Sequence, residues 1–339
     1  MDQESRQKSQ QKPPSSNPQS FDRNAAFGPY KKAHWGRSLW QLTNSLGLYA
    51  LLWYAMYLSL DIHYALTLLL SLPAGLVLIR LFVILHDCVH GSYFPRPRAN
   101  QWTGRFISLF VFTPFDYWRK DHLSHHASVC NLDHKGQGDV WTLSVKDYQQ
   151  LNRLEKFFYR MSRHPVALFC VAPIFLRNRI PNKKCTAADK KSIYLTNVIV
   201  ILLILLVSLV VGFKAFFMIQ IPTFFWASAI GSWLFYVQHQ FSQARWNRSD
   251  QWNHLDAAFK GTSYYALPRV LHWCTGNIGY HHIHHLCPRI PNYHLAPCYK
   301  NSKSLHNVAT LTLRSSWDTL KNQLWDEQQK RFIAFKEAA

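Results

Sequence analysis

Four apolar runs, each long enough to cross a bilayer as a helix, restrict the fold of this chain more than any other feature. They cover residues 39–60, 64–85, 193–212 and 216–237, and a helical crossing needs roughly 20 residues. Only Asp61 to His63 separate the first two, and little more than Phe213 and Lys214 separates the last two. Each pair therefore reads as a tight helical hairpin. The stretches before, between and after the hairpins carry most of the lysine and arginine, and the two hairpin turns carry almost none. The positive-inside rule then places both termini and the long central loop on the cytoplasmic side.

Charge supports the same reading. The formal net charge is +20, a balance that also suits nucleic-acid binders. A soluble nucleic-acid binder has no use for four long apolar runs, and a basic face against anionic lipid accounts for the charge. The seven cysteines include no Cys-x-x-Cys pair and read as reduced thiols. The polar start of the chain lacks the apolar segment of a cleaved signal peptide. Residues 1–36, rich in Gln, Ser, Pro and Lys, read as a disordered cytoplasmic tail. Residues 37–302 then form one membrane domain. Residues 303–339, charged with an amphipathic pattern, read as a peripheral helix. Two shorter runs, 106–115 and 166–176, are too short to cross and read as interfacial or re-entrant helices.

Histidine is the chemical signature, and it lies just outside the apolar runs. One cluster is His86-Asp87-Cys88-Val89-His90, a second holds His122, His125 and His126, and a third holds His281, His282, His284 and His285. His239 stands alone where the fourth run ends. His86 and His90 are at i and i+4. His122, His125 and His126, like His281, His284 and His285, are at i, i+3 and i+4, so each set makes one helical face. A parity argument joins them: four crossings leave all three clusters on one side. Imidazole suits iron, zinc, copper or nickel, and one zinc needs only about four ligands. Eight or nine histidines call for two metals, and an oxygen-activating di-iron centre uses such a set. His282 faces away and is left out. His134, His164, His254, His272, His294 and His306 lack ligand spacing. Asp87, Asp121, Asp139 and Asp256 are candidate partners for the outer ring nitrogens, and Asn277 is placed to hold a water. Arg80 reads as an anchor reaching the headgroups.

These residues resemble the membrane fatty acid desaturase family, whose pattern is H-x-x-x-H followed by two H-x-x-H-H boxes. The matching stretches are His86–Ser92, Gly138–Thr142, Tyr236–Phe241, Thr275–Leu286 and Arg289–Tyr293. They look like the bacterial acyl-lipid branch, and the likeness spans roughly residues 36–300. Phe235 stands where acyl-CoA members tend to carry an asparagine. The resemblance implies an all-α integral membrane fold, with four transmembrane helices in two hairpins and a cytoplasmic helical cap. It implies two iron ions, dioxygen as co-substrate, and a cis double bond placed in a lipid-linked acyl chain with two external electrons. No dinucleotide glycine fingerprint is present, so the electrons come from a separate carrier such as a ferredoxin. The rival readings are a histidine-box hydroxylase or ketolase on an alkane, sphingolipid or carotenoid, a membrane metal transporter, and a haem-binding cytochrome.

Overall fold

The computed structural model describes residues 22–134, 139–170 and 178–338. The chain is mostly helical. Two long helices, α2 (Trp35–Ser59) and α3 (Tyr64–Val89), form the first hairpin. A second hairpin is formed by α9 (Ala187–Val211) and α10 (Phe213–His239). It breaks at Gly212, whose φ of +90° suits only glycine, so Phe213 is already helical. Helix α3 is central and packs on both α2 and α10. Gly75 makes this approach possible: a Cβ there would lie 2.7 Å from Cβ of Trp226.

Three of these helices, α3, α9 and α10, are long and apolar enough to cross a membrane. Helix α2 is 25 residues long, but Gln41, Thr43, Asn44 and Ser45 dilute its apolar character. Helix α9 leaves Leu202, Leu206, Leu209 and Val210 exposed, an apolar surface that water does not tolerate and lipid does.

The shorter helices build a cap over one end of the hairpins. After α1 (Arg23–Phe27) come α4 (Pro97–Phe110), α5 (Phe115–Ser128), α6 (Val145–Gln149), α7 (Arg153–Ser162) and α8 (Pro165–Cys170). Beyond α10 follow α11 (His254–Lys260), α12 (Arg269–Cys274), α13 (His281–Leu286) and α14 (Asn292–Asn301). The 106–115 run becomes the end of α4 and the start of α5, with α4 packed on α3. Part of the 166–176 run lies outside the described residues.

Two terminal expectations are corrected. The tail expected over 1–36 is ordered from Asp22 onward; residues 1–21 lie outside the described residues. Asp22 caps α1 through the amides of Asn24 and Ala25. Phe27 is buried in a cluster with Ile283, Leu286 and Ile290, which offsets the entropy of ordering it. The C-terminal segment is not a helix. It holds β2 (Thr310–Thr312), parallel to β1 (Tyr264–Ala266), and a hairpin of β3 (Leu324–Asp326) with β4 (Arg331–Ile333). Trp325 and Phe332 bury against the cap, and Arg248 ties Glu327 at 2.6 Å to Asp133 at 2.9 Å. These long-range contacts override the local amphipathic pattern.

Arg80 is corrected as well. It does not reach for headgroups: it is buried, its Nε donates to Oγ of Ser45 at 3.0 Å, and its Nη1 donates to the carbonyl of Trp273. The guanidinium also lies 4.0 Å from the Trp273 ring centroid. It joins α2, α3 and α12 inside the protein.

Candidate metal centre

Helix periodicity decides which way each histidine points. The first cluster leaves the end of α3, and His90 caps that helix. The second lies in the last two turns of α5, the third forms α13, and His239 is the last residue of α10. The nine candidate histidines meet as two adjacent groups. His86, His90, His122, His126 and His284 form one, and His125, His239, His281 and His285 the other. Within each group the nitrogens lie within 4.8 Å of one another.

The x-x-H-H spacing has a specific consequence. In α5 the i, i+4 pair His122 and His126 enters the first group, and His125 turns to the second. In α13 the pair His281 and His285 enters the second group, and His284 crosses to the first. Adjacent histidines are about 100° apart around a helix, so each box divides between two centres instead of presenting one face. The groups touch where His126 stacks on His285, with centroids 4.1 Å apart.

The donor chemistry fits metal ions. Nε2 of His122 lies 2.9 Å from Nε2 of His90 and 3.1 Å from that of His126, which lies 2.9 Å from Nε2 of His284. In the second group, Nε2 of His281 lies 2.9 Å from that of His239 and 3.0 Å from that of His285. One shared proton per contact cannot satisfy such a convergence of buried lone pairs, and a cation at each centre does. Burial pushes the pKa of His122, His126, His281, His284 and His285 well below the usual range, and neighbouring imidazoles add to the effect. Neutral rings keep their lone pairs for ligation.

Carboxylates and aromatic rings pack against the imidazoles. Asp139 is 2.7 Å from Nδ1 of His125, and both side chains are almost fully buried. Asp87 lies 3.4 Å from Nδ1 of His86. Its other oxygen accepts from the backbone amide of Asn292 at 2.6 Å and from its side-chain amide at 2.8 Å. Trp118 stacks on His122 with centroids 4.6 Å apart, and Phe235 lies against both His125 and His239.

Other candidates fall elsewhere. Asp256 is taken by Lys260 at 3.0 Å, one turn along α11. The Asn277 amide donates to the carbonyl of Asn292, and its φ of +58° marks it as a turn residue. Asp121 is half-buried on α5. His282 is buried away from both groups, beside Tyr264 and Tyr299; burial lowers its pKa to about 3. Asn292 is the residue that spacing missed. It also accepts from Gln41 at 2.7 Å, linking α2 to the centre. Its one sequence signal was its place in the Arg289–Tyr293 match.

Comparison with known proteins gives the centre its context. Residues 62–310 match the family model described as fatty acid desaturase. A fatty acid desaturase of Bacillus subtilis (strain 168) is 40% identical over 302 residues, covering 88% of this chain and 86% of that protein. Two Arabidopsis thaliana proteins are each 28% identical. One is an acyl-lipid omega-3 desaturase (cytochrome b5) of the endoplasmic reticulum, matched over 66% of this chain and 60% of its own length. The other is a chloroplastic sn-2 acyl-lipid omega-3 desaturase (ferredoxin), matched over 68% and 54%. With a family match across most of the chain and a bacterial relative matched nearly end to end, this chain belongs to the fatty acid desaturase family, oxygen-dependent oxidoreductases.

Proposed function

We propose that the chain is an acyl-lipid desaturase that places a cis double bond in the acyl chain of a membrane lipid. The observation that carries this reading is the convergence of nine imidazoles, all buried except the half-buried His90, in two touching groups at the ends of long apolar helices. In this reading His86, His90, His122, His126 and His284 would hold one iron, and His125, His239, His281 and His285 the other. Two irons there would activate dioxygen, the oxidant needed to remove hydrogen from an unactivated methylene pair, which no side-chain acid or base does.

The balance is fixed by the chemistry. Two hydrogens leave the chain, two electrons and two protons arrive from outside, and dioxygen leaves as two waters. The protein's residues set the conditions. Asp139 and Asp87 would orient the His125 and His86 rings. Trp118 and Phe235 exclude water beside the rings. The reading includes α2 as a fourth crossing, with both termini and the centre on the cytoplasmic side. An acidic electron carrier suits the basic face, and the named plant relatives include ferredoxin and cytochrome b5 forms.

The test is expression in a host without its own desaturase, followed by gas chromatography and mass spectrometry of derivatised lipids. The expected product is an unsaturated acyl chain recovered in the lipid fraction. Iron-loaded protein with no new alkene, or with a hydroxylated product instead, would overturn the reading.

A further inference from the structure

The metal centre leaves one part of the cap unexplained. Helix α7 exposes Leu154, Phe157, Phe158 and Met161, at i, i+3, i+4 and i+7, and Val166 continues the ridge. Arg153, Lys156 and Arg160 flank it. A capping box between Asn152 and Glu155 fixes the start of the helix. An apolar ridge bordered by cations is the pattern of a helix lying in a bilayer surface. Its height in the molecule agrees. Helix α8, which follows directly, packs on α10, and Arg163 between them donates to Oε1 of Gln240 at 3.0 Å, where α10 ends.

Beside this helix is a cleft of about 570 Å³ between α7–α8 and the C-terminal segment. Arg160, Arg163 and Lys336 supply its charge, His164 lines it, and Leu320 and Phe335 form its apolar wall. The nearby carboxylates are engaged: Glu155 accepts from the amide of Asn152 at 2.9 Å, and Glu337 pairs with Arg331 at 3.2 Å. Arg163 is only 2% exposed. Its Nη atoms donate to Gln240, Thr142, Tyr159 and the carbonyl of Trp141. Its buried Nε has no acceptor among the described residues. A buried guanidinium with no carboxylate partner among the described residues, beside a cleft of cations, calls for an anion in that cleft.

We propose that this cleft binds the phosphate of a membrane phospholipid headgroup, with α7 lying in the bilayer surface beside it. Phosphate supplies the negative charge that Arg160, Arg163 and Lys336 lack among the described residues. The ridge on α7 selects a lipid as the source, because free phosphate has no use for four exposed apolar side chains. An acidic protein surface fits the ridge equally poorly. Since Arg163 holds Gln240, the residue after His239, an occupied cleft also braces the end of α10 at the metal centre.

The proposal deepens the acyl-lipid reading and rests on its membrane orientation. Its test reads binding, not turnover, so the two fail separately. The full chain in maltoside detergent is titrated with dihexanoyl-phosphatidylglycerol, dihexanoylglycerol and inorganic phosphate, and the thermal midpoint is followed. The phosphatidylglycerol raises the midpoint, dihexanoylglycerol does not, and inorganic phosphate acts only at much higher concentration. Arg160→Gln combined with Lys336→Gln weakens the lipid response at least tenfold, read as the shift from the variant's own lipid-free midpoint because Arg160 also donates to the Tyr148 hydroxyl at 2.7 Å. Arg163→Gln serves as a second variant. An unchanged lipid response in the double variant overturns the proposal, as does equal stabilisation by dihexanoylglycerol. Inorganic phosphate acting as strongly as the lipid, or an acidic ferredoxin losing affinity in the double variant while the lipid does not, overturns the lipid assignment.

Discussion

His125 and His126 are neighbours in sequence and belong to different groups, as do His284 and His285. Removing either member of a pair would therefore take a ligand from a different centre. His125→Ala and His126→Ala are each expected to abolish desaturation and to lower bound iron, measured by elemental analysis of purified protein. His282→Gln retains full iron, because its ring faces Tyr264 and Tyr299. Asp139→Asn keeps the shape but weakens the carboxylate's hold on His125. A loss of about 10- to 100-fold in iron affinity or activity is expected, and wild-type values would show that Asp139 does not position this ligand.

Elements position these side chains through close contacts that only glycine allows. The stretch from Thr275 to Tyr280 turns sharply into α13, with Gly276 at φ +53° and Asn277 at +58°. A Cβ at Gly279 would lie 2.6 Å from the carbonyl oxygen of Tyr265 and 2.9 Å from Cε1 of His272. Gly279→Ala must push α13 away from β1. A cost of about 1–3 kcal/mol is expected for such overpacking, read as a lower unfolding midpoint in detergent together with reduced iron content. Normal iron content at normal stability would show that α13 tolerates the shift. The sequence displayed these glycines, but their purpose follows from the backbone and ring they face across the cap.

At the scale of the whole molecule, the histidine groups join α3, α5, α10 and α13, so metal ions held there would act as a tertiary clasp. Chelation of iron is expected to lower the unfolding midpoint substantially, since metal binding free energy is folding free energy. The metal-free protein also acquires a pH dependence. Burial holds His122, His126, His281, His284 and His285 below the ordinary value of 6.5, whereas the unfolded chain takes up protons near it. Below that pH the unfolded state binds more protons, so stability falls as pH falls and is fully present above it. Calorimetry of chelated protein between pH 8 and pH 5 should show the midpoint dropping on acidification; a flat or rising profile would contradict this.

The sequence alone singled out the nine histidines that the fold brings together, and placed them just outside the apolar runs. Ligand spacing is a local property of the helix, and a run of about 20 apolar residues has few other uses. It also displayed the family, through motifs that sit beside the boxes. It did not determine how nine histidines divide into five and four, because that depends on how α5 and α13 face each other. It named Asp139 among four candidate carboxylates but could not separate it from Asp256, which pairs with Lys260, and it missed Asn292, because the pairings of Asp139 and Asn292 are long-range. The C-terminal segment and Arg80 were misread for the same reason. An amphipathic pattern and a charge near a span end have several local solutions, and burial of Trp325 and the Ser45–Arg80–Trp273 link decided between them. Local periodicity is written in the chain; the choice of partner across the fold comes only from packing.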